Sequence, residues 1–316
     1  MGGYLPLELC RGKEYHQFEQ DKMVRVNCGR AAIYAALIQF HPKRVVLPYF
    51  ICPTVKALVK KMNIPYVEYS ITEDFSPVKL QFNKDDCIIL VNYFGLINRE
   101  KIALELAGET HIILDNTQAF YAKPIFHPNI LNVYSCRKFF GVSDGGYLIG
   151  EHIEPIDFQP ATSWKDSVFL AKSLELGTNA AYALKKECEE RMGTVYTQMS
   201  LLTKSIMDGI DYSDIAEKRR ANFEVLNRLL GNTNALEWGL ENNTPYSYPF
   251  MIKKNIRNYL LENKVYVPII WKENIDMKKS TTVESDFSKW IYHLPIDQRY
   301  DQNDMKYLSK IILKRV

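Results

Sequence analysis

Six short, nearly continuous apolar stretches punctuate the first 150 positions. They are RVVLPYF (44–50), PYVEYSI (65–71), CIILVNYF (87–94), HIILDNT (111–117), ILNVYSC (130–136) and GGYLIG (145–150). Their length and their β-branched and aliphatic content predict strands. The lack of strict alternation predicts that both faces of the sheet are covered. Between them lie candidate helices. GRAAIYAALIQF (29–40) is apolar nearly all round, which predicts a helix buried inside the domain. CPTVKALVKKMN (52–63) and NREKIALELAGE (98–109) are amphipathic. Strands separated by helices predict an α/β fold with a mainly parallel central sheet, flanked by helices and joined by right-handed crossovers.

The pattern changes after about residue 150. Residues 160–210 read as mostly helical. SDIAEKRRANFEVLNRLLG (213–231) predicts a long helix, with Ser213 placed to cap its start and Gly231 just past its last turn. The remainder reads as a smaller α/β unit. YSYPFMI (246–252) and VYVPIIW (265–271) predict strands around a helix at NIRNYLLENK (255–264), and residues 292–316 end in an amphipathic helix. Two domains are expected: a large one at 1–210 with an N-terminal arm, and a small C-terminal α/β one at 211–316.

Composition narrows the function classes. The chain has 316 residues, 47% hydrophobic, with a formal net charge of +3, enough for sizeable cores. No basic block points to nucleic acid. No apolar run is long enough to cross a bilayer. The N-terminus lacks the charged and apolar regions of a secretory signal, and MGGYLP fits a myristoylation signal poorly. The six cysteines, at 10, 28, 52, 87, 136 and 188, form no Cys-x-x-Cys pair. Reduced thiols in a cytoplasmic protein are expected, with no metal site.

Ligands of open α/β sheets collect at the carboxyl ends of the strands. At those ends stand Asp115, with Gln118 three places on, and Ser135, with Lys138 three places on. Asn27 and Gly29 open the buried helix, whose free backbone N–H groups suit an anion. A lysine, a carboxylate and a phosphate cradle at one sheet edge suggest pyridoxal 5′-phosphate (PLP). A buried lysine offers a free amine to an aldehyde. An ionised carboxylate keeps the pyridine nitrogen protonated, so that the ring can draw electrons.

The segments NCGRAAIYAAL, VVLPYFICPT, ILDNTQAF, SCRKFFGVSDGGYL, KRRANFEVLNRLL and YHLPIDQRYDQNDMKYL stand in the order found in the DegT/DnrJ family of nucleotide-sugar aminotransferases. The chain resembles that family from about residue 24 to 312. The resemblance implies the PLP-transferase fold type I and a homodimer with shared active sites. It also implies transfer of an amino group from an amino acid, glutamate by expectation, to a keto group of a nucleotide-linked sugar, a reaction of polysaccharide biosynthesis. It places the Schiff-base lysine on Lys138, the aspartate of the pyridine nitrogen on Asp115 and the glutamine near the phenolic oxygen on Gln118. The phosphate turn falls on Gly29, Arg30 and Ala31, with Ser135 as a further contact. Cys52 stands where an aromatic ring commonly covers the cofactor, so that either Cys52 itself gives a thin cover or Tyr93 or Phe94 takes the stacking role. Asn179 is a candidate for reaching the neighbouring subunit's phosphate. Arg30 departs from the small hydroxyl residue usual in the phosphate turn.

Each feature has a plainer reading when taken singly. Asp115 is then a strand-end cap, Lys138 a snorkelling surface lysine, Ser135 a turn residue, and Tyr93 a core aromatic. Rival functions are another PLP reaction on the same fold, such as dehydration or decarboxylation, and a non-catalytic relative. Lysine rather than histidine at 138 disfavours dehydration. Residues 151–210 and 270–290, where substrate selection is expected, carry no readable motif.

Overall fold

A computed structural model describes residues 3–5, 7–241, 243–272 and 282–316. Parts of MGGYLP and of the 270–290 stretch lie outside these described residues. In chain order the elements are β1 (Met23–Val26), α1 (Gly29–Phe40), β2 (Arg44–Pro48), α2 (Pro53–Lys61), β3 (Tyr66–Ile71), β4 (Pro77–Val78), β5 (Asp86–Val91), α3 (Glu100–Ala107), β6 (His111–Asp115), β7 (Ile130–Ser135) and β8 (Gly146–Gly150). Then follow α4 (Val168–Leu176), α5 (Thr178–Arg191), α6 (Leu201–Asp208), α7 (Tyr212–Leu230), β9 (Tyr248–Met251), α8 (Arg257–Glu262), α9 (Thr282–Trp290), β10 (Ile291–Leu294) and α10 (Gln302–Leu313).

The large sheet runs β1-β8-β7-β6-β5-β2-β3-β4. The four central pairings, β3 with β2, β2 with β5, β5 with β6 and β6 with β7, are parallel; β1–β8, β7–β8 and β3–β4 are antiparallel. The mainly parallel α/β expectation therefore holds. β5 is buried along its whole length, as its unbroken CIILV core demands. Each fully buried Ile or Leu contributes about 1.5–3 kcal/mol, so this hydrophobic slab dominates the sheet's stability. Helix α1 packs across β6, β7 and β8. Its alanines at 31, 32, 35 and 36 are fully buried, and small side chains let the helix lie close to the strands.

The chain moves from β2 outward to β3 and returns to β5 on the other side of β2. The strand order thus reverses between β2 and β5, and the crevice of such a sheet opens outside the carboxyl ends there. The segments leaving β2, β5, β6 and β7 are Tyr49–Cys52, Asn92–Gly95, Asn116–Gln118 and Cys136–Lys138. They hold Cys52, Tyr93, Gln118 and Lys138, and Asp115 and Ser135 are the last residues of β6 and β7.

Three sequence expectations change. VYVPIIW forms no strand; β9 pairs instead with β10, IYHL, in an antiparallel two-stranded sheet. Pro268 lacks the N–H that a ladder needs. Strand β1, MVRV, was hidden by its mixed pattern: only Met23 and Val26 are fully buried. The cap of α7 is Asp211, whose side chain accepts from the Asp214 backbone N–H at 3.0 Å and from the Ser213 hydroxyl at 2.7 Å. Asp211 sits one residue before the first helical position, and Ser213 lies within the first turn. The expected boundary at 210/211 falls between α6 and α7, and one apolar cluster runs from Val26 through the sheet to Ile312.

Candidate active site

Because β5, β6 and β7 are parallel, their carboxyl ends share one edge. Val91 pairs with Asp115, and Asp115 with Val133. Ser135 lies two residues farther along β7, about 7 Å. Asp115 is 4% exposed, and its Oδ1 accepts the Thr117 backbone N–H at 2.9 Å. The chain turns there, and the Lys138 amine comes back to the same residue: Nζ donates to Thr117 Oγ1 at 3.0 Å. Lys138 and Asp115 are thus joined through one threonine, 21 residues from Lys138 in sequence.

The surroundings of Lys138 set its proton affinity. Burial pulls its pKa below the ordinary lysine value; the Asp115 carboxylate and the Cys52 sulfur pull it back up, and the Arg137 charge lowers it further. An amine in this position releases its proton more readily than a surface lysine. Cys52 is half-buried at the start of α2, with Sγ 3.0 Å from Thr54 Oγ1.

The first turn of α1 completes the edge. No side chain caps it, and it holds no acidic residue. A Cβ at Gly29 would lie 2.8 Å from Thr117 Cγ2 and 3.5 Å from Ser135 Cβ. Gly29 therefore packs directly against Thr117 and Ser135, closer than a residue with a side chain could. Gly29 and Ser135 are thereby neighbours. The Arg30 guanidinium points elsewhere. It turns to residues 192–193 and donates to the Met192 carbonyl at 2.6 Å.

Gln118 is buried, and its Oε1 accepts the Phe94 N–H at 2.9 Å. This holds a turn in which Phe94 has φ +59°. Tyr93 goes elsewhere: it is 1% exposed, its hydroxyl donates to the Phe50 carbonyl at 2.8 Å, and its ring packs among Phe50, Phe75 and Trp271. Its plainer reading, a core aromatic, is the one the structure shows, because the ring is buried and its hydroxyl already engaged. Asn179 is exposed near the start of α5 and shares no contact with these residues.

Sequence reasoning passed over Thr117, although it sits inside the Asp-x-x-Gln motif. It also passed over Asn92 and Asn116. Asn92 Nδ2 donates to Asn116 Oδ1 at 3.1 Å, and Asn92 Oδ1 and Asn116 Nδ2 are buried with no partner among the described residues. Strand-end position was the signal available for both. Among the described residues no group of three His, Cys, Asp or Glu gathers for a metal ion, and no helix is long and apolar enough to cross a membrane. All six cysteines are free thiols.

The residues present fit PLP. An amine of lowered proton affinity, a buried carboxylate with one oxygen engaged by a backbone N–H, and an uncapped helix start at Gly29 are the donor set that its aldehyde, ring nitrogen and phosphate require.

No family model matches the sequence, and no curated protein matches it. Solved structures do. The sugar aminotransferase CalS13 from Micromonospora echinospora superposes with a TM-score of 0.64 at 13% identity, over 93% of this chain and 87% of that one. A DegT DnrJ EryC1 StrS aminotransferase from Brucella abortus gives 0.61 at 14%, over 92% and 85%. The sugar aminotransferase Spr1654 from Streptococcus pneumoniae, in its PLP form, gives 0.63 at 11%, over 93% and 88%. At such low identities it is the path of the backbone that is shared. The protein has the fold of the sugar aminotransferases of the DegT/DnrJ/EryC1/StrS type.

Proposed function

We propose that the protein is a PLP-dependent aminotransferase that moves an amino group from an amino acid, glutamate, to a keto group of a nucleotide-linked sugar. One observation carries this reading: the Lys138 amine, the Asp115 carboxylate and Gly29 at the start of α1 converge on Thr117. When bound, PLP supplies an aldehyde for the amine and a protonated ring that withdraws electrons from the substrate carbon. Asp115, with Oδ1 fixed by the Thr117 N–H, would keep the ring nitrogen protonated. Gln118, its Oε1 engaged by the Phe94 N–H, would serve the phenolic oxygen. The first turn of α1 and Ser135 would hold the phosphate. Lys138 would be the acid–base group: burial lowers its pKa, so its amine gives up a proton more readily than a surface lysine does.

The same reading includes a cytoplasmic homodimer, in which the exposed Asn179 reaches the partner's phosphate, and a place in polysaccharide biosynthesis. Sedimentation velocity checks the dimer. The activity is tested by mixing the purified protein with PLP. A visible absorption band is expected to form, to bleach on adding glutamate, and to return on adding a nucleotide-linked keto sugar. Lys138→Ala is expected to abolish the band. A protein that takes up no PLP overturns the proposal.

A further inference from the structure

The turn that carries Lys138 is held from the far end of the chain. The Phe139 and Phe140 N–H groups both donate to the Cys136 carbonyl at 3.0 Å, and the Val142 N–H donates to the Phe140 carbonyl at 3.0 Å. The Phe139 carbonyl, one residue past Lys138, is left to side chains. Gln298 Nε2 donates to it at 2.8 Å from 159 residues away. Arg219 Nη2 lies 3.5 Å from it, and the guanidinium sits over the Phe139 ring, 4.7 Å from the centroid. Phe139 is buried, and a buried carbonyl left without a donor is destabilising.

Both side chains are themselves fixed. Arg219 stands on α7, and Asn222 lies three places on. Asn222 Nδ2 donates to the Ile296 and Tyr300 carbonyls at 3.2 and 2.9 Å, which pins the loop that carries Gln298. Arg219 Nη1 donates to the Pro245 and Tyr246 carbonyls at 3.3 and 3.0 Å. Tyr246 in turn donates its N–H to the Phe94 carbonyl at 2.8 Å, in the turn that Gln118 anchors. Arg219 is 2% exposed, and burial lowers its pKa. The Asp297 carboxylate, whose charge opposes that shift, is paired with Arg299 at 2.7 Å. Arg219 Nε and Gln298 Oε1 are buried with no hydrogen-bond partner among the described residues. Apolar side chains would fill this space at lower free energy than an arginine buried without a carboxylate of its own, so packing alone does not account for the pair.

We propose that Gln298 and Arg219 are positioning residues for Lys138: by holding the Phe139 carbonyl they keep the amine beside Thr117 and Asp115, where it meets the cofactor's aldehyde. This rests on the PLP reading above, in which the aldehyde carbon bonds to the Lys138 nitrogen with loss of water. Neither residue touches the reacting atoms. Both lie within 211–316, where the sequence places no site residue.

The test compares PLP with pyridoxamine 5′-phosphate, which carries an amine in place of the aldehyde and so cannot bond to a lysine. Binding of each is followed by absorbance in the wild-type protein and in the Gln298→Met, Arg219→Met and Lys138→Ala variants. Lys138→Ala sets the scale, since it removes the bond alone. Gln298→Met removes the donor and changes no charge. It is expected to bind PLP at least tenfold more weakly and pyridoxamine phosphate within twofold of wild type. Arg219→Met is expected to change in the same direction; if it does not fold, Gln298→Met decides by itself. Pyridoxamine phosphate binding in the same samples reports whether each variant is folded. Equal or greater losses for pyridoxamine phosphate would mean a structural role and overturn the proposal, as would unchanged PLP affinity. Failure of the wild-type protein to bind either compound overturns the cofactor reading, and this inference with it.

Discussion

Around the Lys138 amine the groups are side chains at strand ends: Nζ donates to Thr117 Oγ1, and the buried Asp115 carboxylate is tied to the Thr117 N–H. The first turn of α1 has no capping side chain and no acidic residue, and Gly29 packs there against Thr117 and Ser135. Under the proposed function, the difference follows from what each end would recognise. Proton transfer needs groups whose pKa values are set one against another, and buried side chains do that. A phosphate needs several N–H donors and net positive charge, which a helix terminus supplies without any particular side chain.

The largest effect is expected at the amine. Lys138→Ala should lower the transamination rate by on the order of 10²–10⁴-fold, the contribution typical of a positioned acid–base group. Single-turnover kinetics with glutamate would measure it, and a loss of only severalfold would move the chemistry elsewhere.

Asp115→Asn should cost about 10²-fold, because a charge aimed at the ring would be lost. It carries a second expectation with a definite sign. The carboxylate raises the Lys138 pKa, so its removal lowers that pKa further. The reaction of the cofactor-free Lys138 amine with an acylating reagent should then persist to lower pH in Asp115→Asn than in the wild type. A shift to higher pH would contradict the arrangement described here.

At the opposite end, Gly29→Ala places a methyl 2.8 Å from Thr117 Cγ2. Overpacking of this kind costs about 1–3 kcal/mol, so a lowered midpoint of thermal unfolding is expected together with a PLP affinity reduced about tenfold or more. The smallest effect belongs to the group that links the two ends. Thr117→Val keeps the backbone N–H to Asp115 and removes only the hydroxyl that receives the Lys138 proton. The loss of about one net hydrogen bond, ~1 kcal/mol, predicts roughly a fivefold change in PLP affinity. A larger effect from Thr117→Val than from Gly29→Ala would reverse the ranking of the two ends.

Strand-end carboxylates and amines were legible in the sequence because the parallel sheet turns one-dimensional position into a shared edge. Once CIILV, HIILD and ILNVYS are strands of one direction, Asp115 and Ser135 must emerge together. The buried α1 was equally legible, since alanines at 31, 32, 35 and 36 leave no polar face. What stayed hidden depends on contacts between distant segments. Tyr93 was eligible for the site by position, and its burial against Phe50 and Phe75 follows from packing between loops that periodicity does not encode. The turning of Arg30 towards Met192, 162 residues away, left no mark in either local sequence beyond an unexplained glycine at 193. VYVPIIW looked like a strand until Pro268 and the availability of IYHL as a partner for β9 decided otherwise.

The most direct measurement is peptide mapping after borohydride reduction of the protein loaded with PLP. Reduction fixes any carbon–nitrogen bond between the cofactor aldehyde and a lysine. The mass of the reduced cofactor is expected on the peptide carrying Lys138 and on no other. Its appearance on a different lysine, or on none while PLP remains bound, would contradict the placing of the reactive amine beside Asp115.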